Sequence, residues 1–323
     1  MIDLHMHLNG SLSTQVILKI AREENVSLPT YDEKELQKLI SVPKNNQSLN
    51  DYLKCTAVPR LVTQTEKGIE NAVYYLLEEL AEQGLIYTEI RFAPQRHRDN
   101  GLTQEQVVLS AIKGVKKSRI KASLILCCMR GDNLFEENLE TVNLAEKYLN
   151  KGVGGLDLAG AEAKFKTIDY KDLFDIASKK NIPFTIHAGE ADGAKSVSDA
   201  IDFGARRIGH GIRSIEDDEV ISKLIKNNVY LEICPSSNLQ TRAVEGIEQY
   251  PFRKLLEKGV KLTVNTDNKN ISDTTLIEEF KILEDNFGLT RDEKKELLYN
   301  SLDAAFLIES EKEELRKILD ERL

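Results

Sequence analysis

The chain is expected to fold as an α/β protein of the TIM (β/α)8 barrel type, with extra helices. Three observations predict this. Short runs of apolar and β-branched residues recur eight times along 323 residues, each the length of a buried strand. Longer segments of helical periodicity separate them, and such alternation means parallel strands joined by right-handed crossovers. Eight of these units in a chain of this length match the size of a closed barrel. A doubly wound open sheet also alternates, but it places a glycine-rich phosphate turn after its first strand, and HLNGSL at 7–12 holds a single glycine.

The first strand is expected at 2–8, where IDLHMHL opens the chain. The segment 11–83 is too long for one crossover. It predicts several helices inserted into the barrel, the last running unbroken from 60 to 83, with part of the segment lying over the barrel mouth. Strands follow at 85–92 and 122–129; between them Thr103 and Gln106 read as a capping box. The remaining strands are expected at 154–158, 184–187, 207–210, 229–233 and 261–266. Gly288 after LEDNF reads as a helix stop, Thr290 with Glu293 as a second capping box, and 309–321 as a charged, exposed helix. No linker or low-complexity stretch divides the sequence, so residues 1–323 are expected to form one barrel domain.

The net charge of −9 argues against a nucleic-acid groove, which needs a basic face. The longest apolar runs are strand-sized, so no membrane span is expected. No charged and then hydrophobic leader opens the sequence. The four cysteines, Cys55, Cys127, Cys128 and Cys234, form no CxxC pair and read as free buried thiols of a cytoplasmic protein. Oligomeric state leaves no mark in the sequence.

The histidines carry the chemistry. Side chains two apart in a strand share a face, so His5 and His7 converge. His187 ends the fifth apolar run in FTIHAGE, His210 the sixth in RRIGHG, and Asp267 closes the eighth in LTVNTDN. His97, in the polar stretch RFAPQRHRDN, reads as a surface or rim residue. In a barrel the C-terminal ends of the strands form the face where the site is built. One fold assumption therefore brings His5, His7, His187, His210 and Asp267 together. Three imidazoles and a carboxylate suit a transition metal, zinc foremost, with a position left open for water; magnesium or calcium would want mostly oxygen. Glu190 follows His187 by three residues, and Gly189 between them allows a sharp bend. Glu190 reads either as a helix N-terminal acid or as a proton donor beside the metal.

DLHMHLNGSL, EIRFAP, GLDLAG, HAGE, IGHGI, LEICPSSNLQT and VNTD together make the chain resemble the adenosine/AMP deaminases of the amidohydrolase superfamily over nearly its whole length. The resemblance implies hydrolytic deamination of a purine nucleoside, with one Zn2+ per chain, in purine salvage. It implies that His5, His7, His187 and Asp267 hold the zinc, that Glu190 protonates the purine N1, and that His210 orients the attacking water and takes its proton. It also implies that the Gly160 backbone contacts the purine N3, and that Leu49, Tyr52 and Leu53 lie on an apolar helix beside the ribose pocket.

Two positions depart from the family pattern. Asn9 stands where an Asp usually accepts the ribose 5′-hydroxyl. An amide oxygen still accepts, but without charge assistance, which predicts a weaker grip and tolerance of 5′-modified nucleosides. Asn268 stands where many relatives have an Asp facing the purine N7, to which an amide NH2 can donate. The rivals are an adenine deaminase on the same scaffold, a group that tends to have Glu at the position of Asn9, and a catalytically dead binding barrel. Two-metal amidohydrolases use a carboxylated Lys on strand four, where GGLDLAG has none. The cytidine-deaminase signature H-x-E…P-C-x-x-C is absent.

Overall fold

A computed structural model describes residues 1–43, 46 and 49–323, with the backbone alone for 49–51. Eight parallel strands form its centre: β1 (Ile2–His7), β2 (Tyr87–Phe92), β3 (Lys121–Met129), β4 (Val153–Ala159), β5 (Thr185–Ala188), β6 (Arg207–His210), β7 (Tyr230–Ile233) and β8 (Leu262–Val264). Continuous pairing runs β1-β2-β3-β4 and β5-β6-β7-β8. Two single bridges join these halves into a barrel, Leu156 with Phe184 between β4 and β5, and Met6 with Asp267 between β8 and β1. At the seam between β8 and β1 His7 N donates to Asp267 O (2.7 Å) and Asp267 N to His5 O (2.8 Å). The barrel is the expected one, with its eighth strand trimmed to three residues before the chain turns.

Helices surround the barrel and bury apolar stripes against strands that are buried on both faces. Both expected capping boxes form, at Thr103 and at Thr290, and Gly288 ends its helix in the left-handed region. The helix expected over 60–83 is instead two, Ala57–Leu61 and Glu66–Glu82. Thr65 caps the second by accepting from Gly68 N at 2.9 Å. The helix Glu309–Arg322 is charged outside but lays Leu315 and Leu319 on the core. Among the described residues no helix is long and apolar enough to cross a membrane.

Candidate metal centre and proton donor

A cavity of roughly 290 Å³ opens at the C-terminal ends of the strands, near the lower end of small-molecule sites. His7, Asn9, Tyr52, Leu53, Gly160, His187, Glu190, His210, Asp267 and Asn268 all line it. The side chain of Leu49 lies outside the described residues.

His5, His7, His187 and Asp267 each present one donor atom, all within 4.8 Å of one another. His7 Nε2 lies 3.2 Å from His187 Nε2 and 3.3 Å from Asp267 Oδ1, and His5 Nε2 lies 3.5 Å from that oxygen. Metal–ligand bonds of about 2.0–2.1 Å at a tetrahedral angle set donor separations of about 3.3 Å, so the group has the dimensions of a metal site. His5 Nε2 strengthens that fit, because it is fully buried and has no hydrogen-bond partner, an arrangement costly without a ligand. Burial holds His7 well below its ordinary value. Burial works against charge on Asp267, but the His5 ring beside it and then His7 keep it well below the usual carboxylate range. Neutral imidazole and ionised carboxylate are the ligating forms.

Acids inside the barrel fix the far side of two of the three rings. His5 Nδ1 lies 2.8 Å from Glu232, and His187 Nδ1 2.9 Å from Asp157. Arg91 binds both acids, Glu232 at 2.9 Å and Asp157 at 3.1 Å, and Ser237 donates to Asp267 Oδ2 at 2.6 Å. Sequence reading passed over these residues. Their signal was present, since an acid or arginine inside a strand buried on both faces needs a partner there.

Glu190 is buried; Thr241 donates to its Oε1 at 3.0 Å, and its Oε2 lies 3.6 Å from His210 Nε2. Burial, with the Asp267 carboxylate adding to it, pushes Glu190 up to about 8. Burial of this kind favours the protonated carboxyl. Burial, and next the neighbouring His5, hold His210 well below its ordinary value. Its Nδ1 lies 3.0 Å from the Asn238 amide, whose oxygen accepts from Tyr250. His210 and Asp267 both adopt left-handed backbone, φ 63° and 61°, a strain that gathers at functional sites.

The remaining expected residues are placed as follows. Asn9 Nδ2 donates to Thr63 Oγ1 at 3.0 Å, and that hydroxyl donates to Arg60 O. Asn268 Nδ2 donates to Asp267 Oδ1 at 2.7 Å. Its close approach requires Gly10, where a Cβ would fall 1.8 Å from Asn268 Oδ1. Tyr52 is buried, with its hydroxyl 2.6 Å from Ser272 Oγ. His97 corrects an expectation: it is 1% exposed and lines the cavity wall, with Nδ1 2.9 Å from Thr63 O. Its charged sequence neighbours misrepresented its surroundings.

The sequence model of the family described as Adenosine deaminase matches residues 1–322. The chain belongs to the adenosine deaminase family. The adenosine deaminase of Haemophilus ducreyi is 44% identical over 99% of this chain and 96% of its own length. Among solved structures, the adenine deaminase of Arthrobacter aurescens superposes with a TM-score of 0.88 at 26% identity, covering 99% of this chain and 98% of that one. The N6-methyl-AMP deaminase of Arabidopsis thaliana superposes with a TM-score of 0.85 at 26% identity, covering 99% and 96%. Chains that share this barrel thus carry names that differ in the purine acted upon.

Proposed function

We propose that the protein is a metal-dependent hydrolase that deaminates adenosine and 2′-deoxyadenosine, giving inosine or 2′-deoxyinosine and ammonia. One observation carries the reading: Glu190 and His210 line the cavity onto which three of the four converging residues, His7, His187 and Asp267, also open. His5, His7, His187 and Asp267 would hold the ion, which we assign as zinc from the three imidazoles. When bound, the ion makes water acidic enough to attack at neutral pH.

The protein's own residues do the rest. C6 of the purine is a poor electrophile. Glu190 donates its proton to N1 as the ring is attacked, drawing charge away from C6. Thr241 occupies Oε1, which leaves Oε2 as the oxygen that carries the proton. His210 holds the attacking water and relays a proton to the departing amine. The oxygen of water stays on C6. Its two hydrogens end as the third hydrogen of ammonia and as the proton restored to Glu190. The Gly160 backbone meets the N3 edge of the base, while Tyr52 and Leu53 wall the sugar. In this reading the whole chain is one domain, and the segment 11–83 partly covers the mouth.

A second substrate class is favoured by Asn9. Because the Thr63 hydroxyl donates to Arg60 O, it accepts from Asn9, and the Asn9 oxygen remains as a neutral acceptor. Arg60 and Arg96 line the same cavity. A neutral amide and two guanidinium groups suit a 5′-modified, anionic nucleoside better than a carboxylate would.

The test is absorbance loss and ammonia release from adenosine, free adenine and AMP at equal concentration. Adenosine should turn over fastest, with AMP measurable. Preference for adenine would overturn the reading. Glu190→Gln should keep the ion and lose at least about 10²-fold in kcat.

A further inference from the structure

Glu162 is 1% exposed and two residues beyond Gly160. Five donors meet its two oxygens. Oε1 accepts from Gly189 N at 2.7 Å and from Ser196 Oγ at 2.6 Å. Oε2 accepts from Glu190 N at 3.0 Å, Ala191 N at 2.7 Å and Asp192 N at 3.1 Å. A single side chain therefore takes four consecutive backbone amides of the turn that carries Glu190, a turn that Gly189 enters at φ 70°.

The brace is itself anchored. Arg130 Nη2 donates to Thr167 Oγ1 at 2.9 Å, Thr167 Oγ1 lies 2.7 Å from Ser196 Oγ, and Ser196 donates to Glu162. The same guanidinium nitrogen donates to His187 O at 2.6 Å. Among the described residues, β4 and β5 share only the Leu156–Phe184 bridge, so beyond it no ladder ties their ends together. Glu162 makes that tie, between the loop of Gly160 and the loop of Glu190.

We propose that Glu162 is a positioning residue for proton donation, holding residues 189–192 so that the Glu190 carboxyl stays aimed at the ring nitrogen. This rests on the reading of Glu190 as the proton donor. Displacement by 1 Å of a group in the reacting arrangement costs on the order of 10²-fold in rate. Losing the brace leaves four amides without an acceptor, and the turn must move to satisfy them.

Glu162→Gln keeps the shape but sets an NH2 against N–H donors. Steady-state kinetics on adenosine are measured per metal-loaded site, beside metal content and melting temperature. The expected result is a fall in kcat on the order of 30- to 100-fold, with KM within about threefold and the ion retained. A purely structural role would lower metal content and folded fraction while leaving kcat per loaded site unchanged. That outcome overturns the proposal. If Glu162→Gln does not fold, Ser196→Ala removes one donor and the link to Arg130. A three- to tenfold fall in kcat at constant KM, on the order of one hydrogen bond, supports the proposal, and unchanged kcat overturns it. Glu190→Gln assayed alongside separates the failures. If Glu190→Gln retains activity within about tenfold, the proton-donor reading itself has failed. If it is dead while Glu162→Gln turns over normally, only the positioning role has.

Discussion

The two seams of the barrel are closed in different ways. Between β8 and β1 the backbone itself closes the rim: His7 and Asp267 pair there, and three of the four converging ligands, His5, His7 and Asp267, stand on that seam. Between β4 and β5 the single bridge lies at the start of β5, and side chains make the ties above it. Asp157 on β4 holds His187 on β5, and Glu162 holds the turn after it. A ligand set spread over a closed backbone seam inherits its geometry from the fold. The turn that carries Glu190, outside any ladder, is held by a side chain instead. Arg91 lies between the two, since its guanidinium binds the acid behind His5 and the acid behind His187.

Four substitutions break or sharpen this contrast. Asp267→Ala removes a candidate ligand atom while leaving the backbone N–H and C=O that close the first seam. Loss of that side-chain donor should abolish stoichiometric metal and lower deaminase activity by at least about 10³-fold, read by metal analysis and ammonia release. Arg91→Met strikes both seams at once by leaving Glu232 and Asp157 without their shared guanidinium, although Arg207 still binds Glu232 at 2.6 Å. Breaking a buried pair costs about 3–5 kcal/mol, and a fall in unfolding free energy of that size, read by denaturant titration, is expected.

His97 touches neither seam and serves as the control. Burial lowers it from 6.5 to about 4, so the folded protein binds fewer protons than the unfolded chain between those values. Its contribution is fully present above pH 6.5 and is lost as pH falls towards 4, up to about 3 kcal/mol. His97→Gln should flatten the stability–pH curve in that window and leave metal content unchanged. The smallest effect is expected from Asp157→Asn, which loosens only the second seam. Metal affinity should drop about 10- to 100-fold, measured by competition with a chelator, with the fold intact.

The candidate ligands, and His210 beside them, were legible in the sequence because strand periodicity and strand ends place them without knowledge of partners: HMH on one face, and His187, His210 and Asp267 at the ends of their runs. The residues that hold them were written just as plainly but in another form. Asp3, Glu89, Arg91, Asp157, Arg207 and Glu232 are charges inside strands, and all are fully buried. Spacing alone does not say which acid meets which arginine, because the partners lie far apart in sequence and are joined only by barrel closure. Glu162 in GAEAK looks like any loop acid; four of its five donors come from a turn 27 and more residues away, and the fifth from Ser196 on the helix that follows. The break at Val62–Thr65 was hidden because helical periodicity runs on through it, while the Thr65 cap interrupts the backbone. His97 was misread because charged neighbours in sequence are not neighbours in space.

The ligand cluster at the first seam is the centre of this account, and metal removal tests it most directly. Purified protein should contain close to one zinc ion per chain; stripping the ion should abolish ammonia release from adenosine, and adding zinc back should restore it. Full activity in protein shown to be free of divalent metal would contradict the account.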